Sequence, residues 1–145
     1  MSYDLMVFDK ETAPKDRASF LKWFEKQVEW SEEISYDNPA DTSVALRNWF
    51  MEMIEMFPPM NGPFSNEDFD NSHQSDYTIG GDIIYVAFAW SVSEKALELS
   101  WASAIKHGVG FFDVSADNGA ILFPGKNELI DISEFTKKKP WWKIL

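Results

Sequence analysis

The sequence predicts an α+β sandwich, an antiparallel sheet with helices packed on one face. Three observations predict it. Apolar residues change spacing repeatedly along the chain, from the alternation of strands to the three-and-four spacing of helices. Adjacent glycines, Gly80-Gly81, separate two strand-like runs and mark a hairpin. A chain of 145 residues, 45% apolar and 26% charged, can bury one core and is too short for two ordinary domains.

Tyr3–Phe8 reads as a strand that stops at Asp9-Lys10-Glu11. Pro14 sits near a helix start, where its missing N–H costs nothing. Arg17, Leu21, Phe24 and Val28, with Phe20 alongside, then mark one face of a helix reaching about Trp30. Asn38-Pro39 breaks the chain. Asp41, Thr42 and Ser43 are candidate caps for a second helix, whose stripe is Leu46, Trp49, Phe50, Met53 and Phe57 and which Pro58-Pro59 ends. Residues 58–76 are rich in turn formers and acids and contain no Lys or Arg, so they read as a long surface loop.

Tyr77–Ile79 and Asp82–Trp90 form the expected hairpin, with the glycines accepting the positive φ of a tight turn. Ser91 and Glu94 have capping-box spacing for a third helix, predicted to bury Leu97, Trp101, Ala104 and Ile105 and to close at Gly108. Val109–Val114 and Ala120–Phe123 follow as strands around an Asp117-Asn118-Gly119 turn, and Leu129–Ile132 adds an edge strand. The order β-α-α-β-β-α-β-β contains two βαβ halves, the arrangement of a ferredoxin-like sandwich. Residues 1–136 form that single domain and 137–145 a basic, aromatic tail. The strand at 82–90 is apolar on both sides, so both sides are covered. With helices on one face only, the other face falls to the long loop, the tail or another protein.

Charge narrows the function classes. The chain has 24 acids and 13 bases, and residues 1–136 carry all the acids with nine of the bases, a net −15. Such a body repels nucleic acid and anionic membrane and attracts a basic protein surface. Cysteine is absent and only His73 and His107 are present, which removes disulfides, thiol chemistry and multi-histidine metal sites. Met1–Lys10 carries acids where a secretory signal carries bases, and no run of about eighteen apolar residues occurs, so a cytoplasmic protein is expected.

Four constellations remain. Asp9, Glu11 and Asp82 converge if the first strand lies antiparallel beside the strand that starts at Asp82, and such carboxylates suit Mg²⁺ and phosphate. The plainer reading is a Gly-Gly turn followed by a strand-start aspartate, with no metal. The acidic loop, with Glu67, Asp68, Asp70 and Asp76 and the apolar anchors Phe64 and Phe69, is a contact patch for a basic partner or else a solvated loop. Trp23 and Trp30 lie seven apart on the first helix, off its main stripe, as a second, partner-facing stripe. The lysines and tryptophans of the tail suit a place over the open sheet face, near the domain's own acids.

Two sets of residues carry resemblances. Tyr77-Thr-Ile-Gly-Gly-Asp82 resembles the Gly-Gly-Asp hairpin of diguanylate cyclases, although Ile83 and Ile84 stand where that family continues with an acid and a phenylalanine. Met1–Phe8, Met56–Pro63, Ile83–Ser91 and His107–Ser115 resemble segments shared by a group of small, acidic, uncharacterised bacterial proteins. That resemblance implies no catalytic residue. In size, acidity and lack of cysteine the chain is similar in type to immunity proteins that neutralise bacterial toxins.

The expectation is therefore a non-enzymatic, cofactor-free binding module, an immunity-type inhibitor that occludes a basic toxin domain. The alternatives are a Mg²⁺-dependent phosphoryl-transfer enzyme with a cyclase-like palm, and a homodimer formed through the second sheet face.

Overall fold

The alternating segments pair into one sheet. The computed structural model describes residues 2–29, 39–60, 64–65 and 71–136. In order these form β1 (Ser2–Phe8), α1 (Arg17–Gln27), α2 (Val44–Met53), β2 (Asp76–Ile79) and β3 (Ile83–Ala89). α3 (Ser93–His107), β4 (Gly110–Phe112), β5 (Ile121–Gly125), β6 (Glu128–Asp131) and the short α4 (Ser133–Thr136) complete the fold. The sheet has six strands in the order β2-β3-β1-β4-β5-β6, and every pairing is antiparallel. β1 is central: Val7 lies opposite Ile84 on one side and Phe111 on the other.

Side-chain alternation along β1 divides the interior in two. Tyr3, Leu5 and Val7 join Ile84, Val86 and Phe88 against α2 and α3, where Leu46, Trp49, Phe50 and Met53 are buried. Met6 and Phe8 point the other way and join Ile83, Phe112, Ile121 and Phe123 against Phe20 of α1. The expectation of helices on one face is therefore corrected: α1 covers the face that was predicted to be open. The chain leaves β1 through a turn at Asp9–Ala13, and Ala13 is already buried in the α1 layer. Phe8 meets Phe20 edge-on at 4.9 Å and Phe123 at 5.1 Å, and Phe112 contacts both Phe20 and Phe24. Full burial of one such ring is worth about 1.5–3 kcal/mol. The face on which the homodimer alternative rested is occupied in part by α1.

Local chemistry sets the helix ends. Asp16 Oδ1 accepts from the Ser19 N–H at 2.9 Å at the start of α1, and Ser43 Oγ accepts from the Leu46 N–H at the start of α2. Gly108, at φ +69°, closes α3. Ser91 is not a cap: Trp90–Val92 forms a 3₁₀ turn and α3 starts at Ser93 without a side-chain cap. Nor does the hairpin use positive φ at Gly80 or Gly81; the Gly80 N–H bonds the Ile83 carbonyl at 2.8 Å instead.

α3 overturns a second expectation in part: Ala104 is buried as expected, but Leu97 and Trp101 are not. Its buried residues are Ala96, Ser100, Ser103 and Ala104, while Leu97 and Trp101 are 36% and 37% exposed. Small side chains form the face of α3 that packs against α2 and the sheet. The buried hydroxyls are satisfied, Ser100 donating to the Leu97 carbonyl and Ser103 to Glu52 Oε1. The Trp49 indole N–H reaches the Ser100 carbonyl at 3.2 Å and ties α2 to α3.

Candidate functional site

With its small residues turned inward, α3 presents its bulky ones outward. Leu97 and Trp101, one turn apart, stand beside a pocket of about 390 Å³ that Glu98, Phe111, Asp113 and Ala120 complete. Trp101 packs edge-on against Phe111 at 5.4 Å, which fixes the indole as one wall. Alternation from Phe111 places Asp113 on the same side of the sheet. The two polar residues of the lining are both acids.

Asp113 is held by the backbone around it. Its N–H donates to the Ala120 carbonyl at 3.0 Å, and its carboxylate accepts from the Ala116 N–H. Gly119 crosses tightly behind it: a Cβ there would lie 1.8 Å from the Asp113 carbonyl oxygen. Behind the carboxylate is Tyr3 of β1, 7% exposed and packed edge-on against Trp90 at 6.1 Å. Asp113 Oδ1 and the Tyr3 hydroxyl are both buried and are turned toward each other. They remain close enough to affect one another's titration. Burial raises the Asp113 carboxyl above the usual range, and contacts from Tyr3 and the Ala116 N–H offset only part of this. Burial, then the Asp113 charge, raises the Tyr3 hydroxyl.

On the other side of α3, Met51, Glu55, Met56 and Leu99 line an open groove of about 690 Å³ with Glu52 and Lys106. Its Glu52 and Lys106 are paired with each other. Glu52 accepts from Lys106 Nζ at 3.0 Å, from His107 Nε2 at 2.9 Å and from Ser103 Oγ at 2.8 Å. Burial alone would raise its carboxyl, but these three hydrogen bonds and the Lys106 charge hold it at about 2.

The other candidate residues fare differently. Asp9 and Asp82 meet at the sheet end as the register requires, through a backbone bond from the Asp9 N–H to the Asp82 carbonyl at 2.9 Å. The Asp9 carboxylate, however, accepts from the Glu11 N–H at 2.9 Å and caps its own turn. Among the described residues no group of three or more histidine or acidic side chains is placed to hold a metal ion. Phe64 is half-buried and packs edge-on against Phe50 at 5.9 Å. Trp23 lies against Phe8 at 6.2 Å and Phe20 at 5.5 Å in the α1 layer and stays half-buried. Asp76 starts β2 and is exposed. Glu67, Asp68, Phe69, Asp70, Trp30 and the tail 137–145 lie outside the described residues.

The described acids fall on α1, α2, α3 and the strand ends. Leu97 and Trp101 stand out for their position and Asp113 for its environment. Sequence reading assigned the first two to the core by spacing and passed over the third. One signal was available: an acid two residues after Phe111 on an otherwise apolar strand shares that buried face.

Comparison with known proteins finds no family model that matches this chain, and no curated protein or solved structure that matches it. No helix among the described residues is long and apolar enough to cross a membrane.

Proposed function

We propose that this protein is a non-enzymatic binding module whose α3 face receives a basic protein partner in the cytosol. One observation carries the reading: Leu97 and Trp101 project outward beside a pocket whose only polar lining residues are acids. A half-exposed tryptophan next to an apolar recess is the usual form of a binding hot spot, because it buries a large rigid surface with little loss of entropy. The net −15 of residues 1–136 speeds encounter with a cationic surface, and the apolar contacts prolong the complex. An immunity-type inhibitor that occludes a basic toxin domain is the finer form of this proposal, supported by the acidity, size and absence of cysteine.

The test is a pull-down from the native cell at low and then moderate salt, with the natural chain and with a Leu97→Ser, Trp101→Ser double variant. The expected result is a basic protein retained at both salts by the natural chain and lost by the variant. Retention of no basic protein at either salt, or equal retention by the variant, overturns the reading.

A further inference from the structure

We infer that the pocket beside Trp101 is a receptor for one primary ammonium group on an aliphatic stem, the side chain of a lysine presented by the partner. The inference rests on the α3 face being the docking surface and names what enters it. Three features of the pocket select this chemistry.

The first is shape and lining. Leu97, Trp101, Phe111 and Ala120 make an apolar sleeve of about 390 Å³, enough for a few methylenes and a small head group. A lysine side chain suits such a sleeve, since its stem lies along apolar surface while its head seeks a polar end. The Trp101 indole also offers its ring to a cation.

The second is charge. Asp113 and Glu98 are the polar lining residues and no base faces them there. A half-buried carboxylate without a counter-charge favours a cationic occupant over a neutral or anionic one. An ammonium head would meet the Asp113 carboxylate where it lines the pocket, Oδ1 being turned back toward the Tyr3 hydroxyl.

The third is the geometry of the acceptors, which favours lysine over arginine. A guanidinium fork binds best across both oxygens of one carboxylate. The Asp113 carboxylate already accepts from the Ala116 N–H and its Oδ1 is buried against the Tyr3 hydroxyl, so it does not offer both oxygens to a fork. Asp113 and Glu98, carboxylates on separate elements, suit the three rotatable donors of an ammonium group.

The experiment titrates the isotopically labelled full chain with n-butylammonium, n-pentanol and n-propylguanidinium. It follows the Trp101 indole N–H resonance, assigned through Trp101→Phe, in the natural chain, Asp113→Asn and Tyr3→Phe. So few heavy atoms imply half-saturation at roughly 10 mM. The expected result is a saturable shift with n-butylammonium, binding at least about tenfold weaker for the other two probes, and a similar loss in Asp113→Asn. Tyr3→Phe is expected to lose less.

No saturable shift with n-butylammonium, equal binding of n-pentanol, or an undiminished affinity in a folded Asp113→Asn overturns the ammonium site. Tighter binding of n-propylguanidinium overturns the choice of lysine. If the pull-down retains a basic partner through Trp101 while n-butylammonium fails, the docking surface stands and the lysine receptor falls. If n-butylammonium binds and no partner is retained, the pocket stands and the docking surface falls.

Discussion

His107 Nε2 donates to Glu52 Oε2 at 2.9 Å across 55 positions of sequence, joining the C-terminal end of α3 to the last turn of α2. The same carboxylate accepts from Ser103, whose residue is fully buried. Glu52→Ala is therefore expected to lower stability by about 1–3 kcal/mol, because it strands a buried hydroxyl. Lys106→Ala costs much less, since the lysine side chain is 67% exposed and surface pairs contribute little. Urea unfolding at pH 7 measures both.

Acid should expose the same relationship. Glu52 titrates at about 2 in the folded chain and near 4.5 when unfolded. Its stabilisation is fully present above the unfolded value and is lost as pH falls through the folded one. The stability gap between the natural chain and Glu52→Gln is accordingly expected to narrow from pH 5 downward to about pH 2. A gap that stays constant across that range contradicts the assignment.

Three tryptophans should separate by layer. Trp49 is fully buried and its indole is hydrogen-bonded, so Trp49→Ala is expected to cost about 3–5 kcal/mol. Trp23→Ala should cost about 2 kcal/mol, because the ring packs on Phe8 and Phe20 while remaining partly exposed. Trp101→Ala gives up chiefly its edge contact with Phe111, about 1 kcal/mol, and leaves the fold intact. Thermal unfolding of the three variants ranks them.

Two glycines admit no side chain. A Cβ at Gly119 would lie 1.8 Å from a backbone oxygen of Asp113, and one at Gly110 would lie 2.1 Å from the buried Phe8 ring. Each alanine variant is expected to lose about 1–3 kcal/mol or more, since neither neighbour can turn aside cheaply. Gly119→Ala should also displace Asp113, so that it weakens ammonium binding while Gly110→Ala does not. Denaturant midpoints and the Trp101 titration together check the pair.

Asp113→Asn should behave in the opposite way. The Asp113 carboxyl titrates above the usual range, so its neutral form is favoured in the folded chain. Relative to asparagine, the stability associated with that form is present at low pH and is lost as pH rises through the folded value. At pH 7 the variant is expected to be as stable as the natural chain or more so, and the difference should fade in acid. A variant less stable at pH 7 would show that the carboxylate serves the fold.

Much of the fold was legible because its signals are bulky and periodic. Val7, Ile84 and Val86 alternate along strands, and Leu46, Trp49, Phe50 and Met53 repeat at helical spacing with Ser43 ahead of them. Periodicity fixes which side of α1 is buried, but not which side of the sheet receives it; that depends on how the chain turns at Asp9–Ala13. α3 was misread for a different reason. Leu97 and Trp101 dominate any weighting by size, yet Ala96, Ser100, Ser103 and Ala104 are buried because close approach to α2 rewards small side chains. Asp113 was passed over because its environment comes from β1, 110 positions earlier, through Tyr3.

The position of β1 has a kinetic consequence. It is bonded along both edges, to β3 and to β4, and its alternate side chains are shared between the α1 layer and the α2–α3 layer. Neither layer can peel away without leaving half of this strand bare. Its amides should therefore be the last to trade hydrogen with solvent, and the two layers should register as separate cooperative units that share one slow strand.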